Sequence, residues 1–237
     1  MTPYHETELG KLYCGDCLTV MREIKENSID LILTDPPYGI NYLSGWTNNH
    51  KIIKNDDNEN YKTNTALWLQ FFRKLLTETA CCCCCCGGGK IASSAILTLE
   101  AIKYLHLIQT IIWDKKTIGL GWKYRPSYET ILVLSKSKDK YNWYTNRKDV
   151  SNIIKINNII PQKGDHPTPK PIKLMETFIL LHSKEKDLVL DPFIGSGTTA
   201  IACEKLGRKW IGIEISEEYC EIAKQRIEQE ARQLKMF

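Results

Sequence analysis

Long apolar runs are missing from this chain, and their absence limits where the protein can work. No segment approaches the ~20 consecutive apolar residues that a membrane-spanning helix requires, and no apolar stretch at the amino terminus resembles a signal peptide. A strong excess of one charge is missing as well, since 32 Lys and Arg residues face 28 Asp and Glu residues. The formal charge of +4 neither requires nor excludes a polyanionic partner. We expect a soluble cytoplasmic protein that binds no membrane.

Cysteine pairs with metal-ligand spacing are scarce, although the chain has ten cysteines. Six of them form the unbroken run Cys81 to Cys86, and adjacent cysteines lack the spacing of a tetrahedral zinc site. Cys14 and Cys17 have that spacing, but no second pair or nearby histidine completes four ligands. We therefore expect reduced structural thiols and no bound metal, and the run itself predicts no function.

The order of apolar segments predicts one α/β domain over residues 1–237, because two complete domains would be cramped in this length. Strands are predicted at 11–13, 29–34, 90–94, 107–113, 130–134, 188–191 and 210–215. Helices are predicted at 17–25, 64–79, 170–182, 198–206 and from residue 217 onward. The strands at 107–113 and 130–134 suit an antiparallel hairpin. The unit that begins at residue 188 is the βαβ half that usually opens a doubly wound sheet, so its late position indicates a circular permutation.

The first chemically informative turn follows the strand at 29–34 and consists of Asp35, Pro36, Pro37 and Tyr38. In open α/β sheets, ligands bind outside the carboxyl ends of the strands. The two prolines remove backbone donors, so nearby carbonyls and the Asp35 carboxylate form a rigid patch of acceptors. Such a patch suits an incoming amine, and Tyr38 could stack on the planar base that carries it.

The second turn follows the strand at 188–191 and contains Gly195, Ser196, Gly197 and Thr198. It leads into a helix, which leaves free N–H groups and room for a cofactor. Glu214 ends the next strand, where an acid binds ribose hydroxyls in dinucleotide folds. The full Gly-x-Gly-x-x-Gly fingerprint is missing, however, and this makes NAD a less suitable ligand.

Four motifs, in content and order, resemble the permuted β class of N6-adenine/N4-cytosine DNA amino-methyltransferases over nearly the whole chain. They are Thr34-Asp35-Pro36-Pro37-Tyr38, His166-Pro167-Thr168-Pro169-Lys170-Pro171, Asp191-Pro192-Phe193-Ile194-Gly195-Ser196-Gly197-Thr198-Thr199 and Gly207-Arg208-Lys209-Trp210-Ile211-Gly212-Ile213-Glu214. The resemblance implies a Rossmann-like sheet, mostly parallel with an antiparallel edge hairpin, and S-adenosylmethionine as methyl donor. Residues 81–89 depart from the family pattern, which has a leucine and a Pro-Gly-Gly turn there.

The resemblance also implies roles for individual residues. The expected cofactor-binding residues are Asp16, Cys17, Asp35, Thr168, Lys170, Asp191, Phe193, Gly195, Ser196, Gly197, Thr198 and Glu214. Among them, Asp16 would contact the cofactor adenine, Glu214 its ribose hydroxyls and residues 193–197 its methionine part, with Thr168 and Lys170 near its amino-acid end. The expected catalytic residues are Asp35, Pro36, Pro37 and Tyr38. Asp35 and the Pro36 carbonyl would bind the target amine, and Tyr38 would stack on the flipped base.

The expected substrate is double-stranded DNA with a flipped target base, because a paired amine cannot be reached inside the duplex. In this family an initial Asp favours adenine, whereas Ser is more usual in N4-cytosine enzymes. Cytosine N4, RNA and a protein glutamine remain alternatives, as does a catalytically silent nucleic-acid-binding module, against which Asp35 and Tyr38 argue. The chain has no Pro-Cys dipeptide, which argues against methylation of a cytosine ring carbon.

Two irregular segments are expected to surround the site. Residues 39–64 are rich in Asn, Gly and Asp and predict a mobile lid loop. Residues 135–163 are basic with interleaved aromatic residues and predict a small target-recognition insert. Because this insert is short, we expect recognition of a short site or help from a second subunit in a homodimer.

Overall fold

A mixed sheet with helices on both faces organises the protein. The computed structural model describes residues 1–37, 61–85, 91–119, 123–159 and 170–234. Within those residues the strands are β1 His5–Glu6, β2 Gly10–Cys14, β3 Ile29–Thr34, β4 Leu76–Cys85, β5 His106–Asp114, β6 Tyr128–Ser135, β7 Ile153–Lys155, β8 Leu188–Asp191 and β9 Lys209–Glu214. The helices are α1 Cys17–Met21, α2 Tyr61–Leu75, α3 Ile91–Tyr104, α4 Ile172–His182, α5 Thr198–Leu206 and α6 Glu217–Leu234.

The sheet order is β1-β2-β9-β8-β3-β4-β6-β5-β7. Its centre is a parallel block of β2, β9, β8, β3 and β4. β6 is antiparallel to both β4 and β5, β7 is parallel to β5, and β1 is antiparallel to β2. The late strands β8 and β9 lie between the early strands β2 and β3, as the circular permutation predicts. The mostly parallel fold with a β5–β6 hairpin is thus confirmed, although β7 extends the sheet beyond that hairpin.

Two apolar layers cover the sheet. On one face, α4, α5 and α6 bury residues such as Phe178, Ile201 and Ile227. On the other face, α1, α2 and α3 bury residues such as Met21 and Phe72. Burial on both faces explains why the central strands are continuous apolar segments without polar alternation. None of the helices in the described part of the chain is long and apolar enough to cross a membrane.

The cysteine run forms the second half of β4, a central strand that the sequence patterns did not predict. Cys81 to Cys84 pair in parallel with Leu31 to Thr34, and Cys81 to Cys85 pair with β6 on the other side. Cys81, Cys83 and Cys85 face α4, α5 and α6, whereas Cys82 and Cys84 face the opposite layer. Free cysteine behaves as a small apolar residue, which suits a strand buried on both faces.

Three predicted elements were wrong in extent or type. α1 ends at Met21 and not near residue 25. α2 covers 61–75 and not 64–79, so residues 61–64 of the predicted lid loop are helical, and residues 76–79 already belong to β4. The strand predicted at 90–94 is wrong as well, because residues 91–104 form α3. In α3 the buried Leu97 and Ala101 repeat at a spacing of four residues, which is a helical period.

The basic insert divides between two edges of the sheet. β6 runs antiparallel to β4, so the residues after Ser135 emerge at the edge opposite the ends of β3 and β8. There Asn142 N donates to the carbonyl oxygen of Thr79 at 2.7 Å, and Tyr144 N donates to that of Leu181 at 2.8 Å. The chain then returns through β7, which leads toward the edge where β3 and β8 end. Residues 39–60 of the lid and 160–163 of the insert lie outside the described residues.

Candidate active site

Four neighbouring parallel strands end at one edge of the sheet, and predicted site residues follow each of them. Along that edge the strands are β2, β9, β8 and β3. Asp16 follows β2, Glu214 ends β9, Phe193 follows β8 and Asp35 follows β3. Since neighbouring strands lie about 4.8 Å apart, this row extends over about 14 Å.

Hydrogen bonds connect the ends of these strands. Gly15 N donates to the carbonyl oxygen of Glu214 at 2.8 Å. Gly195 N donates to Glu214 Oε2 at 3.1 Å, which joins β9 to the glycine turn. Thr34 Oγ1 donates to Asp191 Oδ1 at 2.8 Å, which joins β3 to β8. The two turns, 157 residues apart in the chain at this bond, therefore lie at one edge.

Asp191 is a buried centre of hydrogen bonds between the two turns. Its Oδ1 accepts from Thr34 Oγ1 and from Phe193 N, and its Oδ2 accepts from Thr199 Oγ1 at 2.6 Å. Burial raises the pKa of Asp191 to about 6, against the lowering effect of the bonds from Thr199, Thr34 and Phe193. Because both oxygens bind protein groups, Asp191 is suited to holding the site together more than to direct ligand contact.

The glycine turn has a backbone conformation that residues larger than glycine rarely adopt. Gly195 and Gly197 have φ values of 52° and 85°, in the left-handed region that favours glycine. A Cβ at Gly197 would also lie 3.1 Å from the Cβ of Ala223 on α6. Arg226 Nη1 donates to both the carbonyl oxygen and Oγ of Ser196, which fixes the middle of the turn. Thr198 follows as the buried first residue of α5.

Phe193, Asp16 and Cys17 lie near the same edge. The ring of half-buried Phe193 contacts Trp68 of α2 edge to face, with centroids 4.8 Å apart. Asp16 caps α1, because its Oδ1 accepts from Thr19 N at 2.9 Å. Cys17 is buried beneath it, and burial, with a smaller effect of Asp16, raises the pKa of its thiol to about 12. This thiol therefore remains protonated near neutral pH.

Glu214 is half-buried and its carboxylate is oriented by backbone groups on both sides. Oε2 accepts from Gly195 N, and Oε1 accepts from Ser216 N at 2.8 Å. These two bonds hold the carboxylate beside the glycine turn at the end of β9.

The turn after β3 brings a carboxylate and a lysine together. Lys170 Nζ lies 2.5 Å from Asp35 Oδ2, although 135 residues separate them in the chain. Pro36 is buried and Pro37 is half-buried, so the backbone beside Asp35 is rigid and rich in acceptors. Tyr38 and Thr168, predicted for stacking and for cofactor binding, lie outside the described residues.

Two further charged residues near Asp35 were not predicted. Glu129 of β6 places Oε2 3.4 Å from Lys170 Nζ, and Lys115, after β5, places Nζ 3.3 Å from Glu129 Oε1. Neither residue belongs to a recognised motif, and both come from the hairpin side of the sheet. Because β6 is antiparallel to β4, its first residues lie beside the carboxyl end of β4, at the same edge as Asp35. Only this pairing could have indicated that Glu129 lies near Asp35.

Several known proteins with similar sequences are named as methyltransferases. A family model for N6/N4 methyltransferases, described as DNA methylase, matches residues 29–225. The type II methyltransferase M.HpaI of Haemophilus parainfluenzae is 32% identical over 93% of this chain and 74% of its own length. The DNA adenine methyltransferase YhdJ of Escherichia coli (strain K12) is 27% identical over 90% of this chain and 81% of its own length.

Solved structures share the fold. The cytosine-N4-specific PvuII DNA methyltransferase superposes with a TM-score of 0.76 at 20% identity, over 97% of this chain and 94% of its own. The M1.HpyAVI–SAM complex superposes with a TM-score of 0.69 at 24% identity, over 92% of this chain and 99% of its own. Because the family model matches most of the residues, including both turns at the shared edge, this chain belongs to the N6/N4 DNA methylase family.

Proposed function

We propose that this DNA methylase transfers a methyl group from S-adenosylmethionine to the exocyclic N6 amine of adenine in double-stranded DNA. The observation that carries the proposal is the bond between Thr34 and Asp191, which joins the Asp35 turn to the glycine turn. A methyl donor at one turn and an amine at the other would then be neighbours. Proximity and orientation of this kind supply a large part of the rate enhancement in bimolecular reactions.

The residues along the edge fit S-adenosylmethionine in chemistry and in order. Asp16, Glu214 and the glycine turn follow three successive strands and succeed one another over about 10 Å, the scale of a nucleoside joined to an amino acid. Asp16 would accept from the adenine amine, Glu214 from the ribose hydroxyls, and the 193–197 turn would lie beside the methionine part. The left-handed glycines leave no Cβ in the way. When bound, the sulfonium supplies an electrophilic methyl group.

The Asp35 turn would hold the target amine. The Asp35 carboxylate and the Pro36 carbonyl accept its two hydrogens, which directs the weakly nucleophilic lone pair out of the ring plane. Asp35 need not be a strong base, because the nitrogen can lose its proton after transfer. The base must leave the duplex to reach these acceptors, and we assign stacking on the flipped base to Tyr38.

Adenine is favoured over cytosine by Asp35 itself, since the family resemblance links an initial Asp to adenine. The similarity to YhdJ, named an adenine methyltransferase, agrees with this choice. The fold is also that of a cytosine-N4-specific enzyme, so N4-cytosine is the second candidate.

Nucleoside analysis distinguishes these substrates. We expect mass spectrometry of unmethylated plasmid DNA, treated with the enzyme and digested to nucleosides, to show N6-methyladenine without N4-methylcytosine. Asp35→Ala protein prepared in parallel is the control for a contaminating methylase. N4-methylcytosine as the sole product would replace adenine by cytosine. Methyl transfer to RNA or protein, with none to DNA, would contradict the proposed substrate.

Cofactor affinity tests the assignment of Glu214. Because hydrogen bonds to charged groups contribute about 1.5–3 kcal/mol, we expect Glu214→Ala to raise the Kd for S-adenosylmethionine by about 10- to 100-fold. Isothermal titration without DNA measures this directly. Glu217→Ala, at an exposed acid three residues further on, is the matched control and should leave Kd within about three-fold. Equal affinities in the two variants would place the ribose elsewhere.

DNA recognition and cellular location complete the proposal. We assign DNA recognition to the part of the 135–163 insert from β7 onward, because this part leads toward the edge that holds Asp35. A homodimer would enlarge the small recognition surface. The nine cysteines of the described residues are free thiols, which suits the reducing cytoplasm. We propose that a partner nuclease, as in type II restriction-modification, is a separate chain.

A further inference from the structure

Four side chains of alternating charge form a row that starts at the proposed amine-binding carboxylate. The row runs from Asp35 to Lys170, then to Glu129 and then to Lys115. Its successive N···O distances are 2.5, 3.4 and 3.3 Å. Asp35 follows β3 and Lys170 precedes α4, whereas Glu129 lies in β6 and Lys115 follows β5. The row therefore crosses from the parallel block to the hairpin.

The row is largely removed from water. The side chains of Lys170, Lys115 and Glu129 are 9%, 14% and 15% exposed. Oε2 of Glu129 is fully buried and has no hydrogen-bond partner among the described residues, although Lys170 Nζ lies within ion-pair distance. Two positive and two negative charges balance one another in this row. Removing any one of them would leave a buried charge without full compensation.

We propose that Glu129 is a positioning residue, which holds the Lys170 ammonium so that Lys170 in turn fixes the orientation and charge of the Asp35 carboxylate. This inference rests on the proposed role of Asp35 as acceptor for the target amine. Glu129 does not need to touch DNA or cofactor. Lys115 pairs with the other carboxylate oxygen of Glu129. This second ion pair keeps Glu129 from attracting Lys170 away from Asp35.

The electrostatics agree with the geometry. Burial alone lowers the pKa of Lys170, but Asp35, Glu129 and, to a smaller extent, Cys85 of β4 together raise it above its usual value. Burial alone would raise the pKa of Glu129, but Lys170 and Lys115 lower it below the usual value. Lys170 and Glu129 therefore both stay charged around neutral pH. Without the Glu129 charge the pKa of Lys170 would fall, because less negative charge would counteract the effect of burial.

The test compares wild type with Glu129→Gln, which keeps the shape of the side chain and removes its charge. We expect kcat for DNA methylation to fall by about 10- to 100-fold, as is typical when a group that orients an active residue is lost. The Kd for S-adenosylmethionine and the KM for DNA should stay within about three-fold. Glu129→Asp, which restores a carboxylate, should recover part of the kcat that Glu129→Gln loses.

Two further variants show whether a loss of kcat in Glu129→Gln is specific to the charged row or results from unfolding. Glu100→Gln removes another buried carboxylate, which pairs with Lys103 at 2.7 Å on α3, and should leave kcat unchanged. Lys115→Gln should also lower kcat, but by a smaller factor than Glu129→Gln, because Lys115 acts through Glu129. A decrease of kcat in Glu129→Gln that only follows the fraction of folded protein, or a folded Glu129→Asp variant no more active than Glu129→Gln, would overturn the inference.

The failure of this inference differs from a failure of the proposed function. Glu129→Gln with wild-type kcat, beside an inactive Asp35→Ala, removes the positioning role and leaves the amine-binding role intact. Asp35→Ala with wild-type kcat removes the amine-binding role itself.

Discussion

Replacing Asp35 by alanine is expected to lower kcat for DNA methylation by about 10³-fold, because the target amine loses the acceptor that orients its lone pair. The variant should still bind S-adenosylmethionine, since Glu214 and the glycine turn are unchanged. Single-turnover assays with labelled cofactor measure the transfer step, and calorimetry measures cofactor binding. An unchanged transfer rate together with intact binding would contradict the proposed hold on the amine.

Asp30 offers a matched control on the same strand. It lies at the opposite end of β3, where its Oδ2 accepts from Leu188 N at 2.9 Å. Burial raises the pKa of Asp30, so this carboxylate also carries a cost of partial desolvation. Asp30→Asn keeps an acceptor for Leu188 and should leave the transfer rate within about three-fold of wild type. A large loss in both variants would point to disruption of β3 and not to chemistry at Asp35.

Replacing Asp191 by alanine is expected to cost about 3 kcal/mol of unfolding free energy near pH 7. Three donors, Thr34 Oγ1, Thr199 Oγ1 and Phe193 N, would lose their acceptor in a buried place. Each unsatisfied group costs about 1–3 kcal/mol, and the relief from burying a carboxylate offsets part of the sum. Urea unfolding followed by tryptophan fluorescence measures the change.

The pH dependence of this cost has a defined sign. The pKa of Asp191 is about 6 in the folded protein against 3.8 for an ordinary Asp, so the folded state holds this proton more tightly. Its contribution to stability is therefore complete below about pH 4 and is lost as the pH rises through about 6. The difference between wild type and Asp191→Ala should be larger near pH 5 than near pH 7. Thr199→Val, which removes one donor, should cost about 1 kcal/mol, and equal unfolding midpoints in all three proteins would contradict this account.

Sequence reasoning identified the elements that surround the site because their ends carry local signals. β3 was predicted with its observed bounds, since an apolar run ends at an acid and two prolines. β8, α5 and β9 were predicted within one residue, because a glycine turn separates strand from helix. The row of acids along one edge followed from the rule that parallel strands present their carboxyl ends together.

The remaining features depend on contacts that the sequence does not record. β4 was missed because a cysteine homopolymer has no polar alternation and lies outside the usual strand compositions. The strand prediction at 90–94 is wrong because a short apolar segment does not distinguish the period of a strand from that of a helix. Glu129 was missed because its partner Lys170 is 41 positions away, and Lys115 was missed because it meets Glu129 only through the pairing of β5 with β6.

The cysteines of β4 are a natural chemical probe of unfolding. Burial raises the pKa of the Cys81 thiol to about 12 and those of Cys82 and Cys83 well above the usual range, so these sulfurs are protonated and shielded in the native state. Alkylating reagents attack thiolates, and they would reach Cys81 to Cys85 only when the centre of the sheet opens. The mass added to peptides from this strand would therefore count global openings, without any introduced label.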